Sequence, residues 1–253
     1  MTRLRLFFLY GLLTGLVVAM PATGVEAVLD AARKAEERLE TRRALELYQQ
    51  ADRLRPDDAF TLQKIAQQLS DLTLEGGGAA EKKARAGQAL AYAKRAVELA
   101  PDNAVNVLSL AICYGKMGVY SDTRTKIEYS RLVRQEAERA LSLDPNYDWA
   151  HHVLGRWHRE VAELGAATRF FVRVVYGGLP DASKETAIRH LERAAALAPA
   201  RVPHQVELGF AYRSAGRETD ARLTFERALA LPPKERYDAS AQERARRALA
   251  SAE

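Results

Sequence analysis

The stretch ALAYAKRAVELAP, residues 89–101, decides the fold because its pattern occurs five times along the chain. Its apolar residues recur at helical spacing, and a proline follows the last of them. Proline removes a backbone donor and clashes with the preceding turn, so each copy predicts a helix that ends close to its proline. The other copies are ALELYQQADRLRP at 44–56, RQEAERALSLDP at 134–145, AIRHLERAAALAP at 187–199 and ARLTFERALALPP at 221–233.

Alanine stands at one fixed position in all copies. The residues five positions before the proline are Ala51, Ala96, Ala140, Ala194 and Ala228. The residues twelve positions before it are Ala44, Ala89, Val133, Ala187 and Ala221. Small side chains at fixed positions allow neighbouring helices to approach closely. We therefore predict that the alanine columns lie between packed helices.

A second helix is predicted after each proline. Its pattern is a large residue, then a large–small pair that begins three positions later, then another large residue three positions after the small one. Four copies fit: Leu62, Ile65-Ala66 and Leu69; Val107, Leu110-Ala111 and Tyr114; His151, Leu154-Gly155 and His158; Gln205, Leu208-Gly209 and Tyr212. A weaker first copy uses Val28, Ala31-Ala32 and Ala35. Asp57, Asp102 and Asn146 stand where they are expected to cap these helices.

The repeat length indicates the fold class. The prolines at 56, 101, 145, 199 and 233 are separated by 45, 44, 54 and 34 residues, and the last value is the period of the tetratricopeptide repeat (TPR). Longer spacings indicate insertions. We predict an all-α TPR superhelix over residues 28–252, with about five helix pairs and a C-terminal capping helix in YDASAQERARRALASAE.

The first 27 residues form a separate segment, with Arg3 and Arg5 before an apolar run from Leu6 to Met20. This run of 15 residues is shorter than the ~20 that a membrane-spanning helix needs. A signal peptide is therefore favoured over an N-terminal anchor, and the expected location is exported, periplasmic or secreted. The alternative is a membrane-anchored protein.

Composition excludes several function classes. A net charge of +5 arises from Lys and Arg that alternate with Glu along helices, which indicates a solvated surface rather than a nucleic-acid site. The single cysteine, Cys113, excludes an internal disulfide and a multi-cysteine zinc site. No spacing defines a nucleophile, an acid–base pair or a phosphate loop, so we expect no enzyme activity and no cofactor.

The TPR register predicts a concave binding groove. Its candidate residues are Lys116, Trp149, His152, Arg156, Arg159, Phe210 and Arg213. Arginine binds carboxylates through two hydrogen bonds and aromatic residues anchor peptides, so the expected partner is a protein or peptide with acidic groups. The alternative is that these arginines pair with neighbouring glutamates.

The histidines of HHVLGRWHREV, residues 151–161, raise the question of a metal site. His151 and His158 fall on packing positions of the register, with Gly155 between them. Glu160 and Glu163 do not share their helix face. Packing is therefore favoured over metal binding.

An insertion in the fourth repeat contains FFVRVVYGGLPD, residues 170–181. We expect its helix to be buried against the array, to break at Gly177-Gly178, and to be followed by a helix capped by Asp181 or Ser183. The alternative is a lipid or apolar-ligand site formed by Phe170, Phe171, Val174 and Tyr176, or contact with a membrane through the neighbouring arginines.

Two stretches, RTKIEYSRLVRQEAERALSLDPNYDWAHHVLGRWHREVAELG at 124–165 and FFVRVVYGGLPDASKETAIRHLERAAALAP at 170–199, resemble the regulator of microtubule dynamics family. The likeness covers about residues 105–233, and its most specific parts are Leu154-Gly155-Arg156-Trp157 and Tyr176-Gly177-Gly178-Leu179-Pro180. It implies an all-helical, non-enzymatic interaction protein. Microtubule association belongs to the eukaryotic members, and it is expected here only if the repeats face the cytosol.

Overall fold

Twelve helices make up the part of the chain that the structure, a computed structural model, describes, which is residues 24–251. They are α1 (Gly24–Glu37), α2 (Thr41–Leu54), α3 (Ala59–Leu72), α4 (Ala79–Leu99), α5 (Ala104–Gly118), α6 (Thr123–Leu143), α7 (Asp148–Ala162), α8 (Ala166–Tyr176), α9 (Lys184–Leu197), α10 (Val202–Ser214), α11 (Glu218–Ala230) and α12 (Asp238–Ala250). The apolar run of the predicted signal peptide or anchor lies outside the described residues. None of the twelve helices has the length and apolar content that a bilayer crossing requires.

The helices pack as five antiparallel pairs with a cap, as the repeat analysis predicts. The pairs are α1 with α2, α3 with α4, α5 with α6, α7 with α9, and α10 with α11, while α12 packs on α10 and α11. The first helices of successive pairs also contact one another, as α3 does with α5 and α7 with α10. Helices on the inside of a curved array are the closest together, so these first helices form the concave wall.

The alanine column five positions before the prolines is buried, which confirms the prediction, and in the column twelve positions before them the four alanines are buried while Val133 is half-buried. All five alanines that precede the prolines by five positions are at most 1% exposed. In the first helices, glycine allows the same close approach. A Cβ added at Gly155 would lie 2.5 Å from Leu191 Cγ, and one added at Gly209 would lie 2.5 Å from Phe225 Cε1. Side chains larger than these would push paired helices apart.

The predicted caps of α3 and α5 are each wrong by one residue, and the predicted cap of α7 is absent. Asp58 and Asn103, rather than Asp57 and Asp102, accept hydrogen bonds from the first turns of α3 and α5. Asp57 instead has a left-handed backbone, with φ of 60°. The residue Asn146 does not cap α7, whose N-cap residue is Tyr147, without a side-chain cap bond. Ser183 caps α9 as predicted.

The inserted helix α8 is exposed, which contradicts the expected burial of the 170–176 segment. Phe170 is 71% exposed and Val174 is 66% exposed, and among the residues of α8 only Val172 is buried. The physical reason is that α9, not α8, packs along α7, so α8 has no place in the array. Its C-terminal end is fixed instead by Arg131, which donates to the carbonyl of Gly178 at 3.1 Å.

The two halves of the array meet through the loop between α11 and α12. Tyr237 donates a hydrogen bond to Asp71 near the end of α3, and Arg236 pairs with Glu75 just beyond that helix. Arg236 also lies 3.7 Å from Asp71. These contacts join residues more than 160 positions apart in sequence. The superhelix is therefore tightly curved, with its C-terminal end bound to its second repeat.

Candidate functional site

The candidate groove residues all lie on the first helices of their repeats, which form the concave wall. Lys116 lies on α5, Trp149, His152, Arg156 and Arg159 lie on α7, and Phe210 and Arg213 lie on α10. The structure divides them into three environments, which are an open cleft, a buried histidine pair and a charged strip along the inner wall.

The open cleft brings together Arg159, Phe210 and Arg213, with a volume of about 530 Å³. It lies where α7, α10 and α12 meet, and it is lined by Arg159, Glu163, Phe210, Arg213, Ser214 and Arg244. The Phe210 ring is surrounded by three guanidinium groups, whose carbons lie 4.7 Å (Arg244), 5.0 Å (Arg213) and 5.9 Å (Arg159) from the ring centroid. Such contacts hold cations over an aromatic face and fix their positions.

A buried carboxylate balances part of this positive charge. Glu207 is 2% exposed, and it accepts hydrogen bonds from Arg244 at 2.8 Å and from Arg159 at 3.2 Å. Burial alone would raise the pKa of Glu207, but the neighbouring guanidiniums, Arg156 and Arg244 first, lower it to about 2. Glu207 is therefore ionised at neutral pH and holds the arginines in place.

Three groups in the cleft keep unused hydrogen-bonding capacity. Arg213 forms no ion pair within residues 24–251, and its side-chain hydrogen bond there goes to the Ala248 carbonyl at 3.4 Å. The Ser214 hydroxyl and the Nε of Arg159 are buried without a partner among the described residues. Buried donors of this kind cost about 1–3 kcal/mol when they stay unpaired. Arg213 therefore has donors free for a ligand in the cleft.

His152 and Trp149 belong to a buried cluster instead. His152 Nδ1 lies 2.9 Å from His204 Nδ1, and His204 Nε2 lies 3.0 Å from the Asp148 carboxylate. His204 therefore donates to Asp148 and accepts from His152, with Trp149 packed against both rings. Burial, and then the electrostatic effect of the neighbouring His204, lowers the pKa of His152 to about 3. This pair joins α7 to α10 and offers little surface to a ligand.

The remaining candidate residues line the inner wall beside the cleft. Arg156 is exposed and pairs with Glu160 at 2.7 Å, so local pairing with a glutamate, the alternative reading of the sequence, applies to this residue. Arg159 likewise pairs with Glu163 at 3.0 Å. The pKa of Lys116 is lowered by burial, and Asp71 partly offsets that effect. These pairings leave Arg213 as the arginine of the predicted set without an acidic partner in the described part of the chain.

His151 and His158 pack between helices, in agreement with the sequence analysis. His151 Nε2 donates to the Pro145 carbonyl at 3.2 Å, and its Nδ1 lies 3.0 Å from His190 Nδ1 on α9. The His158 ring is stacked on His190 with 5.9 Å between centroids. Within residues 24–251, no group of three histidine, cysteine or acidic side chains has the arrangement of a metal site. The five histidines of the chain all lie on α7, α9 and α10, where they bind these helices to one another.

Sequence reasoning missed Arg244 and Glu207. The TPR register assigns concave positions within the first helices, and on α10 the candidates were Phe210 and Arg213, whereas Glu207, three residues before Phe210, was not among them. Arg244 comes from the capping helix α12, whose rotation about its axis no repeat pattern fixes. The apolar candidates Phe170, Phe171, Val174 and Tyr176 lie on α8 and line neither this cleft nor the second one, between α2, α3 and α4.

Solved structures of TPR proteins share this fold. A thermophilic TPR protein from Thermus thermophilus superposes with a TM-score of 0.66 at 20% sequence identity, over 89% of this chain and 99% of that chain. PilW, a type IV pilus biogenesis factor, superposes with a TM-score of 0.52 at 16% identity, over 82% of this chain and 77% of that chain. At these identities the comparison establishes the all-α TPR fold alone.

Sequence relatives are more specific. Regulator of microtubule dynamics protein 1 from Bos taurus is 30% identical over 176 residues, which are 69% of this chain and 55% of that protein. The Mus musculus protein of the same name is 27% identical over 76% of this chain and 63% of its own length. The chain thus spans somewhat more than half the length of these relatives. The family model described as regulator of microtubule dynamics protein 1-3 matches residues 27–253, and the chain therefore belongs to that family.

Proposed function

We propose that this chain is a non-enzymatic TPR scaffold that binds a protein or peptide partner with acidic groups in its concave groove. The observation that carries the proposal is the cleft between α7, α10 and α12, where arginines surround an aromatic side chain on the concave wall. A few residues contribute most of the binding energy in a protein interface, and arginine and the aromatic residues tryptophan and tyrosine are enriched among them. The TPR fold and the family membership support an interaction role for the array as a whole.

Site-specific cross-linking tests whether the concave wall is the binding face. Ile112 on α5 is 36% exposed at a concave position, and Leu223 on α11 is 48% exposed on a second helix. Each is replaced in a separate variant by the photoreactive residue p-benzoylphenylalanine, and the protein is irradiated in an extract of its host cells. We expect a discrete adduct at position 112, absent at 223 and suppressed by excess unlabelled protein. Equal adducts at both positions, or an adduct at 223 alone, would refute the proposal.

The compartment determines which partners are accessible. We propose export, to the periplasm or outside the cell, on the basis of the short apolar run in residues 1–27. N-terminal sequencing of the purified mature protein tests this, with a start near residue 28 as the expected result. An intact N-terminus in the membrane fraction would favour the anchored form.

The relatives' name connects them with microtubule dynamics, and a microtubule-binding role for this chain requires repeats that face the cytosol. Co-sedimentation with polymerised tubulin tests it directly. If the protein is exported we expect it to remain in the supernatant.

Lipid binding through α8 is a second candidate function. One observation favours it: Phe170, Phe171, Val174 and Val175 are between 49% and 71% exposed on one helix that also carries two arginines and no acidic residue. An exposed apolar face of this kind binds membrane surfaces when cationic side chains flank it.

Vesicle flotation tests this second function with phosphatidylglycerol–phosphatidylcholine vesicles. The double variant Phe170→Ser/Val174→Ser should remain in the unbound fraction, whereas the control Val119→Ser, at an equally exposed valine outside α8, should float like the unaltered protein. If the unaltered protein does not float, or if the double variant floats equally well, this second function is excluded.

A further inference from the structure

We infer that the cleft between α7, α10 and α12 is a carboxylate-binding pocket in which Arg213 and Arg244 hold an acidic group of the bound peptide. This inference rests on the proposed function and specifies the chemistry of its site. The ligand class is a carboxylate, supplied either by an Asp or Glu side chain or by the C-terminus of the partner.

The charge of the pocket is the first reason. Three arginines (Arg159, Arg213 and Arg244) face two carboxylates (Glu163 and Glu207), which leaves a net charge of +1. Glu207 is fully ionised and engaged with Arg159 and Arg244. The remaining positive charge is therefore centred on Arg213. A monoanion completes the neutralisation, whereas a cation would be repelled.

The donor geometry is the second reason. A guanidinium carries five N–H donors, and Arg213 uses one of them, for the Ala248 carbonyl. Contacts with the Phe210 and Phe225 rings, at 5.0 and 5.9 Å, fix the group without consuming its donors. A preorganised arginine of this kind loses little conformational entropy when it binds a planar carboxylate.

The capping helix supplies the third reason. Arg244 lies 4.7 Å from the Phe210 centroid, on the same ring as Arg213, and is 45% exposed in its side chain. The two guanidiniums can therefore reach one ligand from neighbouring helices, α10 and α12. In a solenoid the outer face of a cap is normally solvated, but here the inner face of α12 contributes a side chain to the groove. The pocket thus exists only at the C-terminal end of the array.

The probes are three octapeptides of glycine and serine with a dansyl label, which carries no carboxylate. The first carries two central glutamates and blocked termini, the second has glutamines in their place, and the third has no glutamate but a free C-terminal carboxylate. Fluorescence anisotropy is measured in low-salt buffer with the full chain. We expect the glutamate peptide or the free-terminus peptide to bind, with the stronger of the two identifying the source, and the glutamine peptide to bind at least tenfold more weakly.

The variants Arg213→Gln and Arg244→Gln test the residues. Removing a charge-assisted hydrogen bond should weaken binding by roughly 10- to 100-fold. Arg246→Gln is the matched control, because Arg246 lies on α12 as well, is 57% exposed and pairs only with the nearby Glu243 within the described chain. It should bind like the unaltered protein. Arg213→Gln is the safer of the two pocket variants, since Arg213 has no ion pair within the described residues, whereas Arg244 pairs with the buried Glu207. Thermal melting confirms that each variant folds.

Several results would overturn the inference. They are equal binding of the glutamine peptide, equal losses in Arg246→Gln and Arg244→Gln, and complete competition by inorganic phosphate at the concentration at which acetate has no effect. A cross-linked partner at position 112 that binds Arg213→Gln and Arg244→Gln as tightly as the unaltered protein would remove this pocket while leaving the proposed scaffold function intact.

Discussion

Substitution of Gly155 by alanine tests whether close helix approach holds the array together. The added Cβ would lie 2.5 Å from Leu191 Cγ, 3.1 Å from Leu191 Cδ2 and 3.0 Å from the Ala187 carbonyl oxygen. Leu191 and Ala187 are completely buried on α9, so neither has space to withdraw. Overpacking of this kind costs about 1–3 kcal/mol. Alanine also gains about 1 kcal/mol over glycine inside a helix, which offsets part of that cost.

The control is Gly87→Ala on α4, where an added Cβ would have no neighbour within 4 Å. This variant has the higher helix propensity of alanine without a steric clash. The difference in unfolding free energy between the two variants therefore gives the steric cost at Gly155. We expect Gly87→Ala to raise the unfolding free energy by about 0.5–1 kcal/mol, and Gly155→Ala to lie about 1–3 kcal/mol below it.

Urea unfolding followed by circular dichroism measures the free energy of unfolding of both variants. In thermal melts, their melting temperatures should differ by ~2–4 °C for each kcal/mol of difference in stability. The denaturant slopes must agree, because repeat arrays can lose all-or-none unfolding. If Gly155→Ala proves as stable as Gly87→Ala, the reasoning from close α7–α9 packing is wrong.

Three further predictions follow from the described contacts. Burial lowers the pKa of His152 to about 3 and of His190 to about 4, below the usual 6.5, so the folded state favours neutral rings. Their stabilisation is complete above pH 6.5 and is lost as the pH falls towards about 4 for His190 and about 3 for His152. At pH 5 the loss from His152 alone should lower the free energy of unfolding by about 2 kcal/mol. Urea unfolding at a series of pH values from 7 to 5 measures this loss, and an unfolding free energy that stays constant over the range would contradict a buried, neutral His152. Asn103→Ala should lower the free energy of unfolding by about 1 kcal/mol because α5 loses its cap. Asp102→Ala should change it by less than about 0.5 kcal/mol. A larger loss in Asp102→Ala than in Asn103→Ala would contradict Asn103 as the cap. Tyr237→Phe removes the hydroxyl that donates to the buried carboxylate of Asp71, so it should destabilise the protein by about 1–3 kcal/mol. It should also increase the radius of gyration measured by small-angle X-ray scattering. Unchanged scattering would show that this contact does not hold the superhelix closed.

Sequence reasoning predicts the repeat architecture well because packing imposes a periodic requirement on it. Ala96 and Ala194 are at the same position of their repeats and are completely buried for the same reason. Gly155 and Gly209 could be read in the same way, since each faces a large side chain on the second helix of its pair. The same register assigns Arg159 and Arg213 to one wall, and in the structure both guanidiniums lie within 5.9 Å of the Phe210 ring centroid.

Features that depend on aperiodic details were beyond the sequence. Asn and Asp can both cap a helix, so the sequence does not distinguish Asn103 from Asp102 as the cap of α5. Backbone geometry alone selects Asn103. The burial of an apolar run is a fair expectation, yet Phe170 remains exposed because α9 already occupies the face of α7. Arg244 reaches the cleft from a helix outside the repeats, so its role depends on how the cap is rotated.

Hydrogen–deuterium exchange measures whether the partner binds on the concave wall. The measurement compares the protein alone with its complex with the partner that cross-links at position 112. We expect added protection on α5, α7, α10 and α12, with the largest effect in the peptide containing Phe210 and Arg213. Protection confined to α8, or to the outer helices α4, α6, α9 and α11, would contradict it.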